Sequence, residues 1–305
     1  MPVIDLVALG EPMYEFSQLP GQARLYLQGF GGDTTNCAIA AARQGARVAY
    51  ITKLGDDEFG REFLSMWQSE HIDTSSVRID PNAHTAVYFI NHGANGHVFS
   101  YLRKGSAASR MTPAELPINL IQSARFFHTS GITQAISYTA RETVFAAIDV
   151  ARAANVSVSF DANIRPRLWS IDTAQQAVKQ AMALSDIFFL SLEDAAFLGA
   201  PSTATDILKW CHDRGAGRTV LKLAAEGVIA SDGEQTYRIS GHAVKSVDAT
   251  GAGDCFAGAL LARLAQGDDF PMALRYANAA AALTTTGFGA VVPIPYKNAV
   301  DAFLE

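Results

Sequence analysis

Cysteine is scarce in this 305-residue chain: Cys37, Cys211 and Cys255 are far apart and odd in number. That spacing excludes a disulfide framework as the basis of the fold, and the cytoplasm is the expected location. The seven histidines lack the spacing of a zinc site. His92 and His97 flank "GANG", which reads as a hairpin tip rather than a metal site. Basic clusters are missing too. Lys and Arg number 24 against 30 Asp and Glu, and the formal net charge is −6. Dispersed cations on an acidic chain set nucleic acid aside as a partner. The chain also lacks a membrane span. Its longest uncharged stretch, 276–296, contains "TTTGFG" and two prolines, so it reads as a packed Ala-rich helix and a loop. The opening "MPVIDLVALGEP" has no secretory pattern.

What is present is a chain 49% hydrophobic and 18% charged, the balance of a globular protein with a large core. From about residue 120 onward, apolar strand-like runs alternate with amphipathic helical ones. "ARFFHTSG" precedes "TARETVFAAIDVARAANV", "SVSFDANI" precedes "DTAQQAVKQAMALS", "DIFFLS" precedes "LEDAAFLG", and "GRTVLKLA" and "GVIASDG" follow. This alternation predicts an α/β fold with a mainly parallel sheet covered on both faces. Ligands of such sheets bind beyond the carboxyl ends of the strands. "DANIRPR", "SLED" and "DATGAGD" all follow strand-like runs, so they are expected on one rim. The first hundred residues differ. "TAVYFINHGANGHVFSYLRKG" alternates like a hairpin and, with "YEFSQLP" and "ARLYLQGFGG", predicts a small β-sheet lid formed by about 12–30 and 84–105. No linker or repeat separates lid from core, so 1–305 is expected to be one domain.

The most informative string is "VDATGAGDCFAGALLARL", Val247–Leu264. Glycines before a helix leave first-turn N–H groups open to an anion, and Asp254 places a carboxylate beside it. The bland alternative is a helix start whose Asp complements the dipole. No G-K-[ST] follows the glycines, which excludes a Walker A loop, and the string is not G-x-G-x-x-G.

"D-A-T-G-A-G-D-C-F-A-G", together with "GGDTTNCAIAAARQGARVAYITKLGDDEFG" (Gly31–Gly60), resembles the two signatures of the ribokinase-like, or PfkB-type, carbohydrate kinases. The resemblance spans essentially the whole chain. It implies a three-layer sandwich with a mainly parallel central sheet and a β-sheet lid. It also implies that Asp254 is the catalytic base and that the amides of Gly251, Ala252 and Gly253 form an anion hole for the transferred phosphoryl group. ATP and Mg2+ are the implied cofactors, with a monovalent cation left open, and a homo-oligomer clasped through the lid is implied as well. On the nucleotide side, the family's N-x-x-E string is matched by "SLED": Ser191 has lost the amide, and Asp194 keeps the acid that would reach the metal through water. Lys222 and Gly227 match the family's "VK-x-G-x-x-G", and Asn278 and Gly289 fall where the adenine pocket walls are expected. For Lys222, an ordinary strand-end lysine is as good a reading as a phosphate contact.

The acceptor reading turns on "VFSYLRKGSAAS" and "FDANIRPRLW". Alternation puts Phe99, Tyr101 and Arg103 on one face of a lid strand. A guanidinium suits a carboxylate better than a neutral hydroxyl. Singly, Arg103 reads as an exposed lid charge, Arg165 as a partner of Asp161, and Tyr88 as lid packing. Together the strings resemble the 2-keto-3-deoxygluconate kinase branch, which implies that Gly32, Tyr88, Tyr101, Arg103 and Arg165 hold a sugar acid against Asp254. Asp33 departs from that branch: it either shifts preference toward a neutral sugar or caps the following helix. The rivals are a fructokinase or ribokinase of the same fold, and a non-catalytic sugar-acid sensor. A sensor has no need of a base facing an anion hole.

Overall fold

The computed structural model describes residues 4–19, 21–22, 24–93 and 96–305. The "GANG" tip, at residues 94 and 95, lies outside the described residues, as do the side chains of His92 and His97. The strands, in chain order, are β1 (Ile4–Leu9), β2 (Met13–Gln18), β3 (Tyr26–Gly31), β4 (Val48–Ile51), β5 (Lys53–Gly55), β6 (Arg78–Asp80), β7 (Ala86–Gly93) and β8 (Gly96–Leu102). They continue as β9 (Ala124–Ser130), β10 (Ser157–Asp161), β11 (Ile187–Ser191), β12 (Arg218–Lys222), β13 (Gly227–Ser231) and β14 (Thr236–Ser240).

Eight of them form one sheet in the order β14-β13-β12-β11-β10-β9-β1-β4. Pairing from β4 through β12 is parallel, and the β12–β13–β14 edge is antiparallel. Parallel strands need crossovers, and the chain supplies helices. Ser137 caps Tyr138–Ala153 by accepting Ala140 N–H, and Ser170 caps Ile171–Ala183 through Thr173 N–H. Ala140, Thr143, Val144, Ala147, Ile148 and Ala151 recur every three or four residues and are the buried face of the first of these helices. Strand residues split between the two sheet faces: Ile187 and Phe189 pack on one, Phe188 and Leu190 on the other. The result is three layers, as expected.

A separate four-stranded sheet, β3-β2-β7-β8, is the lid. Exposed apolar groups lie on both of its faces, Leu27 on one and Val98 and Leu102 on the other.

The helices Asp33–Arg43 and Ala252–Ala265 meet at backbone contact. A Cβ on Gly258 would lie 2.1 Å from the Cys37 carbonyl oxygen, so only glycine fits there. That close approach brings Asn36 and Asp254 face to face.

Arg43 ends the first of these helices. Its guanidinium donates to Glu70 at 2.6 Å, to the Val291 carbonyl at 3.0 Å and to the Ile294 carbonyl at 2.6 Å. The Arg43 and Glu70 side chains are only 8% and 10% exposed. Removing one partner of a buried pair leaves the other charge uncompensated. Arg43→Ala is therefore expected to cost about 3–5 kcal/mol in urea unfolding, whereas an exposed pair such as Lys209–Asp213 gives about 0–1 kcal/mol. A loss below about 1 kcal/mol for Arg43→Ala would show that solvent already screens the pair.

Candidate active site

The strand order reverses between β1 and β9, the kind of switch point at whose carboxyl strand ends such sheets bind ligands. Glu11 follows β1, Ser130 ends β9, Asp161 ends β10, Ser191 ends β11 and Lys222 ends β12. Register aligns them: Asp161 pairs with Ser130, and Ser191 with Lys222. "DATGAGD" arrives differently from the expectation. β14 ends at Ser240, and a coil runs from there to Gly251. Asp248 shapes that coil, accepting Thr250 N–H at 2.9 Å and Gly289 N–H at 3.0 Å.

Gly251 is the N-cap of the Ala252–Ala265 helix at φ 76°, a left-handed conformation that glycine adopts without strain. No side chain caps this helix. Among the described residues the Gly251 and Gly253 amides make no hydrogen bond, while Ala252 N–H donates to the Ala249 carbonyl at 3.2 Å. Two of the three expected anion-hole amides are thus open, and the third is held by the loop.

Asp254 accepts a hydrogen bond from Asn36 Nδ2 at 2.9 Å. Burial raises its pKa to about 7, and the like charges of Asp33 and Asp161 add to the rise, opposed by the Asn36 bond and by Lys222. A Cβ on Gly253 would stand 3.3 Å from Lys222 Nζ, so this ammonium flanks the Gly251–Gly253 turn. Lys222 donates to Asp161 Oδ2 at 2.6 Å. Burial alone would lower its pKa, but the Asp161 charge more than offsets that and raises it, so the cation persists. Beneath it His128 is fully buried and bonded to Ser159 at 2.9 Å, with its pKa pushed down to about 3 by burial and by Lys222.

The residues expected to hold the acceptor gather near Gly32, whose Cβ would clash at 2.5 Å with the Glu11 carbonyl oxygen. The Tyr88 hydroxyl lies over Gly31 and donates to the Glu15 carboxylate, which is buried. Tyr101 is 44% exposed on the neighbouring strand, opposite Tyr88 in register. Arg103 is not a free lid charge. Its Nε donates to Glu11 at 2.8 Å, and its side chain is 11% exposed. Arg165 is exposed and bonds only its neighbour's carbonyl, Ile164 O at 3.2 Å. Its expected partner Asp161 belongs to Lys222 instead, and among the described residues no contact joins Arg165 to Arg103. Gly32 holds the N-cap position, and Asp33, in the first turn, accepts Thr34 N–H on one carboxylate oxygen at 2.9 Å. Its other oxygen accepts from Asn163 Nδ2 at 3.0 Å, tying this helix start to the "DANIRPR" loop.

Asp194 and Ser191 form a capping box at the start of Leu192–Phe197. The Asp194 carboxylate also accepts Ile164 N–H at 2.8 Å, clamping the same loop. Gly227 and Asn278 meet around Ser240. A Cβ on Gly227 would be 2.1 Å from Ile239 O, and Asn278 Nδ2 donates to Ser240 O at 2.8 Å.

Glu11, Glu15, Ser106, Asp161 and Asn163 were not singled out from the sequence as site residues. "GEP" directly after an apolar strand at the switch point was the available signal for Glu11.

The profile of the pfkB family carbohydrate kinases matches residues 3–297. The chain belongs to the PfkB family. The kinase is 34% identical to the 2-dehydro-3-deoxygluconokinase of Thermoproteus tenax, over 99% of this chain and 95% of that one. It is 31% identical to fructokinase-1 of Oryza sativa subsp. japonica, over 98% and 97%. A fructokinase double mutant from Vibrio cholerae O395, solved with fructose, ADP and a potassium ion, superposes with a TM-score of 0.90 at 30% identity, covering 99% of both chains. The kinase is thus an ATP-dependent sugar kinase, with sugar-acid and fructose enzymes at near-equal distance. Among the described residues, no helix is long and apolar enough to cross a membrane.

Proposed function

We propose that this kinase transfers the γ-phosphoryl group of ATP to the 6-hydroxyl of 2-keto-3-deoxygluconate. The observation that carries the sugar-acid reading is the packing of Gly32 on Glu11, whose carboxylate in turn holds Arg103. A guanidinium is thereby fixed beside the acceptor wall. Arg165 adds an exposed cation on the same rim, and the identity to the Thermoproteus tenax enzyme points the same way.

In the transfer, the Asp254 carboxylate takes the proton of the acceptor hydroxyl. The hydroxyl oxygen forms a bond to the γ-phosphorus, the bridging P–O bond breaks and ADP leaves. The open amides of Gly251 and Gly253, with Lys222 beside them, face the charge on the moving group. Among the described residues no cluster of three acidic, histidine or cysteine side chains stands ready to chelate a metal. Magnesium would come as an ion carried on ATP phosphates, and Asp194, whose carboxylate already accepts from Ser191 and from Ile164 N–H, is the residue assigned to its water. Bound there, magnesium supplies neutralisation of phosphate charge. The potassium recorded with the Vibrio cholerae enzyme keeps a monovalent cation among the candidates. The exposed apolar residues of the lid support a homo-oligomer joined through it.

A second reading, a fructokinase, is favoured by one observation: Glu11 already neutralises Arg103, which lessens its pull on a carboxylate. ADP release with magnesium-ATP, comparing 2-keto-3-deoxygluconate, fructose and ribose at matched concentrations, decides between them. The acid is expected to win, and Arg165→Ala is expected to raise its KM about 10-fold while leaving fructose unchanged. A wild-type preference for fructose would overturn the sugar-acid reading and keep the chemistry at Asp254.

A further inference from the structure

Glu11 belongs to neither family signature, yet its side chain is fully buried, at 0% exposure. A carboxylate there is costly unless it is fully bonded. Its bonds come from one side of the lid root: Nε and Nη2 of Arg103, and the hydroxyl of Ser106, which is itself fully buried. Glu11 follows a fixed strand of the core, β1, whereas Arg103 and Ser106 follow the lid strand β8. The three groups tie the connection between β1 and β2 to the lid strand β8.

The geometry of the guanidinium makes this more than a fastening. Its fork has two usable edges, and Glu11 takes the Nε–Nη2 edge. Among the described residues Nη1 bonds nothing, so the Nη1–Nη2 end remains for a ligand. The backbone oxygen of Glu11 meanwhile packs on Gly32, so one residue touches the acceptor wall and sets the orientation of the cation beside it.

We infer that Glu11 is a positioning residue: it fixes Arg103 so that the Nη1–Nη2 end meets the carboxylate of the acceptor. The inference rests on the sugar-acid reading. It explains why a residue of opposite charge sits under a cation meant for an anion. A long side chain at a lid root has many rotamers, and a buried partner removes that freedom before the ligand arrives.

The test uses the full-length enzyme and the variants Glu11→Gln and Ser106→Ala. The first preserves volume and one acceptor oxygen. The second leaves Arg103 and Glu11 in place and removes one bond. Glu11→Gln is expected to raise KM for 2-keto-3-deoxygluconate about 10- to 100-fold, with kcat within about 3-fold and KM for ATP unchanged. Ser106→Ala is expected to give a smaller rise in the same constant. An unmoved KM for the acid in Glu11→Gln, with wild type preferring the acid, overturns this inference alone. Equal rises for acid and fructose, or a fall in melting temperature with no kinetic split, reduce Glu11 to a lid fastening. A wild type that prefers fructose overturns the sugar-acid reading first, and this inference with it.

Discussion

Asp254→Asn is expected to lower kcat by about 10²- to 10⁴-fold while both substrates still bind, the usual range for losing a general base. The amide is isosteric and can still bond to Asn36, so the helix start should survive. Turnover within about 3-fold of wild type would remove Asp254 from the base role. The pH profile offers a second check. A base works only when deprotonated, and burial with the like charges of Asp33 and Asp161 lifts Asp254 to about 7. Activity should therefore fall as pH drops below that value, and kcat/KM should show an acidic limb near it. Asp33→Asn removes one raising charge and should move the limb to lower pH. Asn36→Ala removes a bond that favours the charged form and should move it up. A limb that stays put in both variants would mean that another group titrates.

The core was legible because its strands, covered on both faces, read as continuous apolar runs: "DIFFLS" became β11, with Phe188 and Phe189 on opposite faces. The lid was legible by the opposite signal, the alternation around β7 and β8. Within the site, Gly251 and Asp254 stood out because an anion-holding turn needs specific residues at fixed local offsets. The paired charges were not visible in the same way. Arg103 meets Glu11 across 92 positions and Lys222 meets Asp161 across 61. Such contacts depend on which strand ends the topology brings together, and no periodicity records that. Assigning Asp161 to Arg165, four residues away, let sequence proximity stand in for spatial proximity. The sheet instead turns Asp161 toward the end of β12. Asp33 is a related case. Its two readings were a shift toward a neutral sugar or a helix cap; Gly32 occupies the cap position, and the carboxylate is shared between Thr34 N–H and Asn163. Ala252 differs from its two glycine neighbours for a local reason, because its N–H closes a turn on Ala249.

The pair formed by Lys222 and Asp161 leads to the second large effect. Lys222→Met, which keeps length and loses charge, is expected to lower kcat by about 10²- to 10³-fold, the scale for removing one donor from a site where charge develops. The argument is positional. The ammonium borders Gly253, whose amide makes no hydrogen bond among the described residues, and Asp161 holds it there. Phosphoryl transfer needs little from the protein beyond placement and charge, so a cation held ready costs no reorganisation at the reacting moment. Asp161→Asn should then act through Lys222. It removes the partner that keeps the lysine charged and aimed, so kcat should fall with the sugar KM little changed. Combining the two substitutions should cost no more than Lys222→Met alone, since both remove one function. If the two losses multiply instead, Asp161 has a role of its own at the rim, and the lysine is an independent phosphate contact. A Lys222→Met enzyme that loses only ATP affinity, with kcat intact, would place the cation on the bound nucleotide and away from the transferred group.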